Sequence, residues 1–225
     1  MAKKKYYAVR IGRKTGIYDS WDECRRQVTG FKGASFKGFE SMDDALSFME
    51  LGAESASTLS LNPEEINNSV EERIKNLKEN ELIAFVDGSF DVKKKRSGSG
   101  VVIIDASGNE ETWCRGFDVS DGESFVALRN VAGELSGARY AVSRAIERGA
   151  KSITIYYDYA GIEKWVTGEW KTNLDTTEEY AAWMNVAKNK TDIIFVKVPA
   201  HTGVSYNETA DTLAKQGIRE ISANS

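Results

Sequence analysis

Four acidic residues stand where chemistry can use them. Asp87 follows the apolar run 82–86 and precedes Gly88-Ser89, and Asp158 follows the alternating Ile153, Ile155 and Tyr157. The carboxyl ends of strands are where open α/β sheets keep their sites. Glu134 opens a stretch of helical periodicity. Asp211 lies on the last helix, on a polar stripe with Asn207 and Glu208, beside the apolar stripe of Ala210, Leu213, Ala214 and Ile218. Carboxylates from separate elements repel one another unless cations lie between them. Mg²⁺ takes oxygen ligands and keeps waters, so a few carboxylates plus a substrate phosphate suit it. Two such ions about 4 Å apart can clamp the attacking and leaving oxygens of an in-line phosphoryl displacement. Taken singly, each acid reads as an ordinary solvated residue. Their place after an apolar run singles out Asp87 and Asp158. His201 is the only histidine of the 225 residues and stands just before the Asp211 helix. Most lone histidines are structural, but one with a pKa near ~6.5 on a loop can exchange protons at neutral pH.

The elements that must position these residues read clearly. Residues 82–86 form a buried strand that ends in Asp87, and 100–104 with 111–117 flank the turn Asp105-Ala106-Ser107-Gly108-Asn109 as a hairpin. Residues 133–148 form a helix with Leu135, Ala138, Val142, Ala145 and Ile146 inward, closed by Gly149. A strand over 153–157, helices near 161–168 and 178–189, a strand over 193–198 and a helix over 206–217 follow. Three antiparallel strands followed by helix–strand units imply a mixed, five-stranded sheet covered by helices, an α/β domain over 80–225. Residues 53–79 have the composition of a linker, with an amphipathic helix starting at Pro63 and carrying Ile66, Val70, Ile74 and Leu77. Residues 1–52 read as a small α+β unit. Strands near 7–10 and 16–18 flank a Gly-Arg-Lys-Thr-Gly turn, and a third lies near 35–39. Ser20 with Glu23 and Ser41 with Asp44 make two capping boxes, and Met42, Ala45, Leu46 and Met49 are spaced helically. In so small a unit Phe31, Phe39 and Phe48 are expected in the core.

Bulk properties narrow the class. Hydrophobic residues make up 41% and charged residues 28%, ordinary for a soluble protein. No apolar run approaches the ~18 residues of a membrane span, and no apolar stretch follows the basic start, so neither a membrane partner nor a secretory signal is expected. Cys24 and Cys114 fit no disulfide framework or zinc spacing and are expected as free thiols in a reducing, cytoplasmic setting. The net charge of −4 conceals an excess of six positive charges in residues 1–40, ten Lys/Arg against four Asp/Glu, so the remainder sums to −10. A basic end on an acidic body points to a polyanionic partner.

The ordered motifs Val86-Asp87-Gly88-Ser89, Gly133-Glu134-Leu135-Ser136-Gly137-Ala138, Tyr157-Asp158, Pro199-Ala200-His201-Thr202-Gly203 and Asn207-Glu208-Thr209-Ala210-Asp211 resemble those of type-one ribonuclease H. The resemblance covers 80–217. It implies that Asp87, Glu134, Asp158 and Asp211 hold two Mg²⁺ (or Mn²⁺) ions. It further implies that Glu208 assists near the second metal and that His201 helps proton transfer or product release. Several positions depart from the pattern. Tyr159 follows the third acid where Ser or Thr is common, Asp91-Val92-Lys93-Lys94-Lys95-Arg96-Ser97-Gly98 replaces a Gly- and Pro-rich stretch, and only Asn130 remains of an Asn pair. The 42 residues between Asp158 and His201 leave little room for a basic protrusion that some relatives use on substrate.

The front unit resembles the hybrid-binding domain found before many ribonucleases H. The resemblance rests on Tyr7-Ala8-Val9-Arg10, Gly12-Arg13-Lys14-Thr15-Gly16, Trp21, Cys24 and Phe36-Lys37-Gly38-Phe39. It implies that Trp21 and Phe36 pack on DNA-strand sugars while Tyr7, Arg10, Arg13, Lys14 and Lys37 meet phosphates. The expectation is a monomeric endonuclease cutting the RNA strand of RNA–DNA hybrids, binding double-stranded RNA more weakly, and clearing primers and R-loops. A catalytically inactive hybrid or duplex-RNA binder and a resolvase- or transposase-like nuclease are the alternatives.

Overall fold

The structure, a computed structural model, describes residues 6–40, 42–50, 63–172, 174–198 and 203–223. The chain divides into two compact units, one of residues 1–59 with 163–182 and one of 60–162 with 183–225.

In the first unit β1 (Tyr6–Ile11), β2 (Gly16–Tyr18), α1 (Trp21–Val28), β3 (Ser35–Phe39) and α2 (Met42–Glu50) follow in order. The sheet is antiparallel in the order β2-β1-β3. Ser20 caps α1, its side chain accepting from the Glu23 N–H at 3.3 Å; the expected cap Ser41 lies outside the described residues. Val9, Tyr18, Cys24 and Val28 pack together, and Ala45, Leu46 and Met49 are buried on α2. Phe31 corrects the expectation of a core aromatic. It is exposed, because it sits in the turn leaving α1, held by backbone bonds to Val28 and from Ala34 that carry it off the sheet. Phe39 and Phe48 are half-buried, their ring centroids 5.5 Å apart.

The second fold begins with α3 (Pro63–Lys75), then β4 (Glu81–Asp91), β5 (Arg96–Ile104), β6 (Glu110–Phe117), α4 (Glu123–Val126), α5 (Asn130–Glu147) and β7 (Ser152–Tyr157). It continues through α6 (Gly161–Lys164), α7 (Asp175–Ala187), β8 (Asp192–Lys197) and α8 (Ser205–Ala223). The sheet order is β6-β5-β4-β7-β8. The β6-β5-β4 pairs are antiparallel and the β4-β7-β8 pairs parallel, the mixed five-stranded α/β sheet expected. No helix among the described residues is long and apolar enough to cross a membrane.

Glycines decide how closely the helices approach the sheet. A Cβ at Gly133 on α5 would stand 1.9 Å from the Gly98 carbonyl oxygen on β5. One at Gly100 would stand 1.9 Å from the Ala210 carbonyl oxygen on α8. Real Cβ atoms need well over 3 Å, so no other residue permits these crossings.

Three elements differ from the sequence reading. β4 does not stop at Asp87 but runs to Asp91, because β5 stays paired with it as far as Asp91↔Arg96. Helix α5 starts at Asn130, so Glu134 lies in its second turn rather than opening it. Residues 63–75 form the amphipathic helix expected from Pro63, but the helix is packed rather than part of a linker, with Val70 2% exposed against Ile83, Phe85, Tyr156, Val198 and Val204. The helix belongs to the core of the second unit because its apolar stripe has a sheet face to cover.

Candidate metal centre

Asp87, Glu134 and Asp158 come together. Each offers a carboxylate oxygen, and the three atoms lie within 4.8 Å of one another among the described residues. Three elements deliver them. Adjacent parallel strands place Asp87 on β4 next to Asp158, which directly follows β7. Helix α5 is pressed onto β4 at Gly88, where a Cβ would stand 2.0 Å from the Asn130 carbonyl oxygen and 2.8 Å from Glu134 Cγ. Glu134 thereby hangs over the strand beside Asp87. Asn130 Nδ2 donates to Glu134 Oε1 at 3.3 Å, and the Gly88 N–H donates to Asp87 Oδ1 at 2.6 Å.

The approach to α5 is strained. Arg129, just before the helix, has φ 55°, a left-handed backbone that a residue with a Cβ adopts at a cost of ~1–3 kcal/mol. Its guanidinium lies 5.5 Å from the Phe90 ring centroid.

The electrostatics are those of crowded carboxylates. Asp87 and Glu134 are buried, at 6% and 2% exposure. Burial first, and then the charge of Asp158, hold the Asp87 carboxyl well above the ordinary carboxylate range; Asp211 adds to the rise, while the Gly88 N–H and Lys215 oppose it. A divalent cation with an oxygen preference would relieve that repulsion, so this donor set fits Mg²⁺ or Mn²⁺.

Asp211 is half-buried on α8, close enough to act on Asp87, yet outside the three-carboxylate cluster. Its Oδ2 accepts from Lys215 Nζ at 2.5 Å, one turn along the helix. Glu208 is exposed one turn before it. Asn207, assigned to a polar stripe, is buried at 6% because the Gly100 contact draws this face of α8 onto the sheet. His201 lies outside the described residues, between the buried Val198 and Val204. Tyr159 is buried as well.

In the first unit Trp21 and Phe36 are exposed, at 43% and 41%. The Trp21 ring centroid is 5.6 Å from Tyr7 and 5.9 Å from Phe36, a three-ring surface. Lys14 and Lys37 are exposed, the Lys37 ammonium 5.3 Å from the Phe39 ring centroid. Two arginines assigned to phosphate also make bonds within the unit. Arg10 donates through Nε and Nη2 to the Phe48 carbonyl and lies over its ring. Arg13 Nη1 donates to the carbonyls of Arg26 and Thr29, capping the end of α1.

The sequence motifs include Gly88, Gly98 and Gly133 without giving them a packing role, and do not single out Lys215. Glycine inside a strand or helix is the signal that finds the first three, since it weakens the element unless a close approach requires it.

Comparison with known proteins agrees with this geometry. Residues 79–219 match the RNase H family, and residues 5–49 match the Ribonuclease H1 N-terminal domain. Ribonuclease H1 of Homo sapiens is 27% identical over 96% of this chain and 90% of its own length. Ribonuclease H of Saccharomyces cerevisiae is 54% identical over 44 residues, 20% of this chain and 13% of its own. Two solved structures share the fold. RNase H1 from Halobacterium salinarum has a TM-score of 0.51 and 21% identity, covering 62% of this chain and 98% of its own. LC11-RNase H1 in complex with RNA/DNA hybrid has a TM-score of 0.50 and 21% identity, with the same two coverages. With its match spanning most of the second unit and the front domain matched separately, this chain belongs to the RNase H family of ribonuclease H enzymes.

Proposed function

We propose that the protein is an endonuclease that hydrolyses the RNA strand of RNA–DNA hybrids by two-metal-ion catalysis, leaving 5′-phosphate and 3′-hydroxyl ends. The observation that carries this reading is the convergence of Asp87, Glu134 and Asp158 within 4.8 Å in a chain of this family. Bound Mg²⁺ or Mn²⁺ supplies an activated water and charge neutralisation at the leaving oxygen. The chain's own groups do the rest. Asp87, Glu134 and Asp158 hold the ions. Asn130 and the Gly88 N–H orient two of these carboxylates. Asp211 would join them once Lys215 releases it, Glu208 would assist near the second ion, and His201 would help proton transfer or product release. Trp21 and Phe36 pack on sugars of the DNA strand while Tyr7, Arg10, Arg13, Lys14 and Lys37 meet phosphates, a sequence-blind mode suited to A-form-like duplexes. The same surface takes double-stranded RNA more weakly. The protein works as a cytoplasmic monomer, clearing RNA primers and R-loops.

The test is cleavage of end-labelled RNA–DNA hybrid, duplex RNA and duplex DNA with Mg²⁺ or EDTA, comparing wild type with Asp87→Asn and Asp158→Asn. Metal-dependent cutting of the hybrid's RNA strand alone, abolished in both variants, is expected. Binding without cutting by wild type would make the protein an inactive hybrid binder.

A further inference from the structure

We propose that the tip of the β4–β5 hairpin and the facing turn of α8 form a second phosphate-binding surface, which grips the hybrid's backbone beside the cut. The inference rests on the hybrid-nuclease reading above.

β4 continues four residues past Asp87 to Asp91, and the turn Val92-Lys93-Lys94-Lys95 leads into Arg96 on β5. The turn is braced rather than loose. Asp91 Oδ1 accepts from the N–H groups of Lys93 and Lys94 at 2.9 and 3.0 Å, and Lys95 has φ 50°. Lys93, Lys94 and Lys95 are exposed, and Val92 beside them is 70% exposed. An open cavity of about 550 Å³ is lined by this turn, by Ser89 and Phe90, and by Lys215 and Arg219 of α8. Asp91 is the only acid in its lining, and one of its oxygens is already taken by two backbone donors.

The ordinary explanations for a run of lysines do not account for this one. Lysines protect sheet edges from pairing, but β4 and β5 are interior strands, and β6 and β8 are the edges. Among the described residues neither Lys93 nor Lys95 has a carboxylate at ion-pair distance. Residues 41–225 sum to −10, so this concentration of positive charge reverses its surroundings. Its distance from the carboxylates suits a duplex. Four strand residues span ~13 Å, less than half of a ~34 Å helical turn. A backbone whose scissile phosphate sits at Asp87 therefore passes the hairpin tip.

The experiment uses the full chain and a fluorescein-labelled hybrid. Binding is followed by anisotropy in EDTA from 50 to 200 mM NaCl, and steady-state cleavage is followed in Mg²⁺. Lys93→Gln, Lys94→Gln and Lys95→Gln combined should weaken binding roughly tenfold and flatten the log K against log[salt] slope by about 2–3, one for each phosphate no longer neutralised. KM should rise with kcat retained. A Lys188→Gln/Lys190→Gln control, equally exposed, should leave the slope within about 0.5 of wild type. If the triple variant matches a wild type that binds and cuts the hybrid, the surface is merely solvated and the proposal falls alone. If wild type itself neither binds nor cuts the hybrid, the underlying reading falls with it.

Discussion

A single Cβ separates a working centre from a displaced one. Gly88 and Gly133 let α5 lie on β4 and β5 so closely that Glu134 reaches Asp87. Gly133→Ala must push the helix away or distort the strand. Overpacking of this kind costs ~1–3 kcal/mol, which for a chain of this size lowers Tm by ~2–4 °C per kcal/mol. Cleavage should fall further than stability, at least ~100-fold, because misplacement by 1 Å at a reacting centre is enough for that. A variant with wild-type kcat in the hybrid assay would show that this close approach is not what places Glu134. Titration offers a second residue-scale outcome. Glu111 on β6 accepts from Tyr140 and from Arg144, and Arg148 also pairs with it. The Arg144 hydrogen bonds, foremost, hold its carboxyl down to about 2. A depressed carboxylate contributes stability that is present above its unfolded pKa of ~4.3 and lost as pH falls towards the folded value. Glu111→Gln should therefore be less stable than wild type by ~1 kcal/mol at pH 7, and the difference in urea midpoint should shrink between pH 4.5 and 2. A constant difference across that range would place the effect in packing.

Elements were legible where periodicity or caps announce them and illegible where tertiary contacts decide. The alternation of Ile153, Ile155 and Tyr157, the Ser20 cap and the stop at Gly149 each follow from local chemistry, and the structure carries all three. The three clustered carboxylates were legible because Asp87 and Asp158 follow apolar runs and Glu134 stands in a stretch of helical periodicity, in an order of motifs that resembles a known family. The length of β4 was not, since nothing polar in Ser89-Phe90-Asp91 announces that β5 keeps pairing with it. Nor was the engagement of Arg10 with Phe48, which joins residues 38 apart. The role of α3 is the largest such case. Its composition is that of a linker, yet Val70 is 2% exposed in the core, and Asn67 both donates to the Gly203 carbonyl and accepts from the Ser205 N–H, each at 3.0 Å. Asn67 thus ties α3 to the entry of the helix that carries Asp211. Val70→Ala removes two methyl groups and leaves a cavity, a loss of ~2 kcal/mol and of ~4–8 °C in Tm. A fragment starting at residue 80 should melt lower than one starting at 63 by at least as much. Equal melting temperatures by calorimetry would return 63–75 to the status of a tether.

Across the whole molecule, charge and aromatic surface are concentrated where nucleic acid is expected, on a body that is otherwise acidic. The front unit carries the six-charge excess of residues 1–40 and the exposed Trp21 and Phe36. An acidic body repels a polyanion, so encounter with substrate must be carried by these patches. Once one patch is bound, the carboxylate centre meets the same duplex at an effective concentration set by the chain between them. On the proposed function, affinity and turnover divide between the units. Replacing Trp21 and Phe36 together by Ala removes both ring contacts to the DNA sugars without opening a core, since both rings are exposed. KM for the hybrid should rise ~10-fold or more at 150 mM salt, while kcat at saturating substrate stays within about twofold, because the Asp87, Glu134 and Asp158 cluster is untouched. The opposite split, a fall in kcat at constant KM, would mean that the aromatic surface acts on the chemical step. An unchanged KM even in dilute salt would leave the hybrid to be held by the catalytic unit alone.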